Sequence, residues 1–280
     1  MQKYFLELGK TLGIIACVSN LTGVLHEFQA GKAHVAVYNT PGEAGRAAAA
    51  HAAVLMEEAI RRQGRARVIA ATGNSQIPLA EALVRQKVQW QALELFHMDE
   101  YVGMKADHPA SFRHWIKQRL ADKVHLGEVH YLEADAADLD REIERYSRLL
   151  GEAAIDLAFV GFGENGHIAF NDPPVADFND PAVVKVVTLD EACRRQQAGE
   201  GHFEDVDAVP KQAATITCPG LFGAKSWICC VPEGRKSEAV RDALEGPISE
   251  ACPASLVRRH PRAYVYLDAD SAALLRAAEA

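Results

Sequence analysis

IDLAFVGFGENGHIAFNDP, residues Ile155–Pro173, passes from an unbroken apolar run into glycines, a histidine and an aspartate. The run IDLAFVGF reads as a strand buried on both faces, as parallel strands are when helices cover the sheet. ALELF (92–96) has the same character and leads into FHMDEY, Phe96–Tyr101. Around these two, HVAVY (34–38), RVIAA, VHYL (129–132), TITC (215–218), SWICCV (226–231) and AYVYL (263–267) also read as strands. Helical patterns lie between them: a long Ala-rich one opening at Pro41, then Ile77–Gln86, FRHWIKQRLAD, Asp138–Gly151 and Arg235–Leu244. Such alternation predicts a single α/β domain with a doubly wound, mostly parallel, Rossmann-like sheet and helices on both faces. The domain is placed at residues 34–280, with residues 1–33 as an N-terminal appendage. Pro173–Pro181, rich in Pro and Asp, and Gln196–Pro210, polar and without clear periodicity, read as loops, of the kind that can act as lids.

The chain of 280 residues is 49% hydrophobic, enough for a sizeable core, and carries a net charge of −8. That balance argues against a nucleic-acid partner, which needs a basic face to neutralise phosphates. A small anionic substrate is still compatible with a local basic pocket. No apolar run reaches the ~18–20 residues of a membrane span. Leu12–Val18 is apolar but short, with no cleavage pattern after it, which speaks against a signal peptide. The six cysteines, Cys17, Cys193, Cys218, Cys229, Cys230 and Cys252, show no metal-ligand spacing. They read as reduced thiols of a cytoplasmic protein. A homo-oligomer is left open.

In α/β sheets ligands bind beyond the carboxyl ends of strands, so two polar clusters at two strand ends can share one crevice. ATGNSQ (71–76) offers Thr72, Gly73, Asn74 and Ser75 at a strand-to-helix turn, where N–H groups and hydroxyls suit a phosphate. Lys236, in EGRK (233–236), stands at a second such turn and adds a positive charge. In FHMDEY, adjacent side chains point to opposite sides. One of Asp99 and Glu100 is therefore expected to face the crevice while the other braces the scaffold. In GFGENGHIAFNDP, glycines including Gly166 allow close backbone approach. Asp172 lies five residues after His167, where a carboxylate can set the imidazole tautomer and basicity.

On these residues the chain resembles the glucosamine-6-phosphate deaminase (isomerase) family, within the wider group that includes 6-phosphogluconolactonases. The resemblance runs through ATGNS, FHMDEY, GFGENGHIAFNDP, VPK (209–211) and EGRK, in order, over about residues 34–270. It implies aldose–ketose isomerisation with deamination of a phosphosugar, and neither metal nor organic cofactor. Asp99 would move the proton between C2 and C1. His167 would open the ring, supported by Asn165 and Asp172. Gly73, Ser75 and Lys236 match phosphate-site positions, with Thr72 beside them. Five positions depart from the family pattern; Asn74 and Gln76 of the loop after the strand stand where Gly/Ser and Pro are usual. Asp172 replaces the usual glutamate, Asn165 replaces the aspartate of some members, and Gln197 stands near a usual phosphate-binding arginine, leaving Arg194 or Arg195 to substitute. Two alternatives remain at this point: a phosphosugar lactone hydrolase, which has no use for a base over C2, and a non-catalytic phosphosugar sensor.

Overall fold

The computed structural model describes residues 23–276. An eight-stranded sheet forms its centre, in the order β1-β2-β11-β10-β7-β3-β4-β6. The strands are β1 (Val24–Ala30), β2 (Ala33–Tyr38), β3 (Ala66–Ala70), β4 (Leu93–His97), β6 (Glu128–His130), β7 (Leu157–Val160), β10 (Trp227–Val231) and β11 (Ala263–Asp268). Only β1 runs antiparallel to its neighbour; the other pairs are parallel. Strands β3, β4, β7 and β10 are buried at every position, which explains their largely apolar character, and the charged exceptions Arg67 and Glu94 pair with each other at 3.0 Å.

Helix α1 (Pro41–Gln63) lies against β2, β3, β10 and β11. Its start is set locally. Thr40 is extended and its hydroxyl accepts from the Glu43 N–H, Pro41 supplies the first turn, and Gly64 closes the end in the left-handed conformation. The later helices are α2 (Ile77–Leu83), α3 (Phe112–Ile116), α4 (Leu139–Gly151), α5 (Glu191–Gly199), α6 (Cys218–Phe222) and α7 (Ser237–Glu245). Among the described residues no helix is long and apolar enough to cross a membrane.

Four sequence expectations change. The stretch TITC does not join the parallel sheet: β9 (Gln212–Ile216) pairs antiparallel with β5 (Asp99–Tyr101) and β8 (Val184–Thr188) in a separate three-stranded sheet, and Cys218 already opens α6. Thr217 ends the strand because its hydroxyl accepts from Gly220 N–H and caps that helix. The supposed loop from Gln196 begins inside α5, which Asp190 caps by accepting from Cys193 N–H. Gly151 does not close its helix as a left-handed cap, since Glu152 continues in a right-handed conformation. Finally, β1 belongs to the sheet through its hairpin with β2, so the 33/34 boundary passes through a hairpin. Leu12–Val18 and Cys17 lie outside the described residues. The other five cysteines are free; four are buried and Cys252 is partly exposed.

From β3 the chain steps to β4 on one side, whereas from β7 it steps to β10 on the other. The carboxyl ends of β3 and β7 therefore flank a topological switch point, where open α/β sheets form their binding crevice. The small second sheet covers one side of that crevice and carries Asp99.

Candidate active site

Loops leaving β3, β4, β7 and β10 line a cleft of about 550 Å³, part of it open to solvent. Thr72, Gly73 and Ser75 come from the first loop, Asp99 from the second, Gly163 and His167 from the third, and Lys236 from the fourth.

The turn between β4 and β5 aims Asp99. His97 is fully buried between the two strands. Its Nε2 accepts from Leu132 N–H at 2.9 Å, so Nδ1 carries the proton and donates to the Asp99 carbonyl at 2.9 Å. Burial pulls this imidazole down to about 4, which keeps it neutral. Glu100 points the other way. Its carboxylate accepts from the Ser111 hydroxyl (2.6 Å) and from the N–H groups of Tyr101, Phe112 and Arg113, with the Arg113 guanidinium 3.4 Å away. Glu100 is thus consumed in joining β5 to the start of α3. Asp99 has no such partners: Oδ1 is buried without a hydrogen bond. Burial, then the charges of Glu100 and Asp172, push its carboxyl well above the ordinary aspartate range. A carboxyl that holds its proton so firmly is a strong base once ionised.

His167 sits on a tightly folded loop. Gly163 N–H donates to the His167 carbonyl at 2.8 Å, and Gly166 N–H to the Gly163 carbonyl at 3.1 Å. A Cβ on Gly163 would stand 2.2 Å from the His167 ring, so only glycine permits this approach. Behind the ring, His167 Nδ1 lies 2.9 Å from Asp172 Oδ1, in ion-pair contact though not in a linear hydrogen bond. Asn165 locks the pair by donating to Asp172 Oδ1 (2.9 Å) and accepting the His167 N–H (3.1 Å). Burial pushes the Asp172 carboxyl up, but His167, Asn165 and the Cys193 thiol outweigh it and leave the carboxyl below its usual range. Asp172 is therefore an ionised partner for the imidazole, which leaves the opposite face of the ring for proton transfer in the cleft.

The far end of the cleft suits an anion. Gly73 has φ +93°, which turns β3 into the helical turn Asn74–Gln76. Lys236 is 2% exposed, and burial, with Arg235 beside it, brings its amine down to about 8. A bound anion would offset that burial cost. Glu200 already occupies part of this end. Its carboxylate accepts from Asn74 N–H (3.4 Å) and from Arg235 (2.9 Å). Arg235 is also paired with Glu164 and Glu233.

The structure thus brings Asp99, His167, Thr72, Gly73, Ser75 and Lys236 to one cleft. Asn165 and Asp172 stand directly behind His167, and Glu100 is a brace. Asn74 faces Glu200, its side-chain amide donating to the Glu200 carbonyl at 3.2 Å. Gly166 does not line the cleft; a Cβ there would meet Cys252 Sγ at 2.7 Å. Arg195 is also outside it, exposed and paired with Glu191 one helical turn away. Arg194 is held by the carbonyls of Val206 and Val209. Neither arginine replaces the one missing at Gln197, because α5 turns both away from the cleft. Instead α5 presents Gln196, Gln197 and Glu200. Gln196 accepts from Glu164 N–H at 2.9 Å and Gln197 from the Tyr101 hydroxyl at 2.6 Å. The polar run QQAGE (196–200) carried that signal, but it became visible only once those residues proved helical.

A family model described as glucosamine-6-phosphate isomerases/6-phosphogluconolactonase matches residues 39–266. The chain belongs to this family. Among similar proteins, a glucosamine-6-phosphate deaminase of Exiguobacterium sibiricum is 34% identical over 222 residues, covering 79% of this chain and 86% of the relative. One of Bacillus thuringiensis is 31% identical over 220 residues, covering 79% and 82%. A solved monomeric glucosamine-6-phosphate deaminase superposes with a TM-score of 0.77 at 30% identity, covering 86% of this chain and 99% of that one. A 6-phosphogluconolactonase of Trypanosoma brucei superposes with a TM-score of 0.70 at 19% identity, covering 86% and 98%, a likeness of fold.

Proposed function

We propose that this family member isomerises and deaminates an amino sugar phosphate, converting glucosamine 6-phosphate and water to fructose 6-phosphate and ammonia. One observation carries the reading: Asp99 lines the cleft with a buried, unpartnered oxygen, opposite an imidazole backed by an ionised carboxylate. The deaminase relatives at 31–34% identity support it.

In this reading His167 moves a proton between the ring oxygen and O1 and opens the pyranose. Asp99, ionised, takes the proton from C2 of the open-chain sugar and returns it to C1. The C2 imine that results adds water and expels ammonia. Thr72, Gly73, Ser75 and Lys236 hold the phosphate and so place C2 against Asp99, a matter of geometry that governs such reactions steeply. Lactone hydrolysis would leave Asp99 without a task.

The test is incubation with glucosamine 6-phosphate in heavy water. Ammonia release with deuterium incorporation at the C1/C2 positions is expected. Neither ammonia nor exchange would overturn the reading.

A further inference from the structure

The region behind His167 holds more than a catalytic brace needs. Cys193, on α5, is fully buried close to Asp172. A His167 ring nitrogen, an Asp172 oxygen and Cys193 Sγ all lie within 4.8 Å of one another, with Nδ1 the nitrogen 2.9 Å from Asp172, and among the described residues no other group of this kind is found. Two of the donor atoms are unspent: His167 Nδ1 and Asp172 Oδ2 are buried with no aligned hydrogen bond. We propose that His167, Asp172 and Cys193 form a site for a borderline-soft divalent metal, zinc above all, whose binding blocks the imidazole.

The chemistry of the donor set selects the metal. One nitrogen, one carboxylate oxygen and one thiolate make a zinc set, of the three-ligand kind. Magnesium and calcium demand oxygen ligands and are disfavoured. Zinc–ligand bonds of about 2.0–2.3 Å put tetrahedral neighbours roughly 3.5 Å apart, so only a small contraction of the present spacing is required. Charge also balances: carboxylate and thiolate together neutralise the dication, so a buried site carries no net charge. The Cys193 proton leaves to solvent as the metal binds. Metal on Nδ1 fixes the proton of a neutral ring on Nε2. His167 can then donate into the cleft but cannot accept. Zinc therefore inhibits, and hardest on the step that needs His167 as a proton acceptor.

The inhibitory half rests on the proposed reaction; the binding half does not. Cobalt(II) is the spectroscopic probe for the purified full-length protein. One equivalent should produce a thiolate-to-cobalt charge-transfer band with intense tetrahedral d–d bands. Cys193→Ser should abolish the charge-transfer band and weaken binding by more than about 100-fold, beyond the cost of losing an outer-shell partner. Cys252→Ser should keep the band, and circular dichroism checks that both variants fold. No band in the wild type, or a band that survives Cys193→Ser, overturns the site. With glucosamine 6-phosphate as substrate, zinc should lower turnover of the wild type and spare Cys193→Ser relative to its own zinc-free rate. Equal inhibition of both overturns the inhibitory role. A protein that releases no ammonia at all breaks the functional reading instead, and the cobalt spectra still decide the site.

Discussion

The two ends of the cleft are built on opposite plans. At the reactive end, side chains are locked by partners that face away from the cleft: Glu100 and His97 hold Asp99, and Asn165 and Asp172 hold His167. That leaves the Asp99 carboxylate and the cleft-side edge of the His167 ring open to the cleft. At the anion end, Arg235 is already paired with Glu164, Glu200 and Glu233, while Lys236 lies buried beside it. Rigidity at the first end serves chemistry, where small misplacements are costly. Internal pairing at the second holds Arg235 in place without ligand, and an incoming anion would compete with Glu200 for it.

The strongest way to break this contrast is Asp99→Asn. Turnover should fall roughly 10²–10⁴-fold, the usual worth of a general base, in a steady-state ammonia assay. Stability should move the other way. The folded-state carboxyl sits above its ordinary range, so its contribution favours folding below the unfolded value of 3.8 and is lost as pH rises through the folded one. Wherever Asp99 is ionised in the folded protein, it thus weakens the fold. The amide should recover roughly 1–3 kcal/mol, the usual cost of a buried unsatisfied polar group, as a raised Tm. A lowered Tm would mean that Asp99 is structural.

A milder break is Gly163→Ala. The added methyl would press on the imidazole. Turnover should fall about 10²-fold, as expected for a group displaced on the ångström scale. Unchanged turnover would show that the loop tolerates a different His167 position.

The smallest effect belongs to the anion end. Glu200→Gln should lower KM for the phosphosugar by roughly 3–10-fold with kcat little changed, the scale of one partly buried charge contact. A raised KM would show that Glu200 helps to build the site.

Much of this was legible in the chain. The buried strands announced themselves as apolar runs because helices cover the sheet, and Asp99 and His167 stood at the ends of two of them. The assignment of one acidic residue to the cleft and the other to the scaffold followed from strand alternation alone. The misreadings have physical causes. TITC looks like its parallel counterparts because a strand of the small sheet is equally buried, with Ala213–Ile216 inaccessible to solvent. Arg195 suited a phosphate by composition, but helical periodicity turns it outward toward Glu191. Glu200 gave no local hint, since its meaning depends on Asn74 and Arg235.

The linear chain determined most of the central sheet, its longer helices and the polar side chains at its strand ends, because burial and backbone propensity act over a few neighbouring residues. Only the tertiary structure decided which of those side chains are free. Freedom here is the absence of a partner, and the partners come from other parts of the chain: Ser111 for Glu100, Tyr101 for Gln197, Glu200 for Asn74.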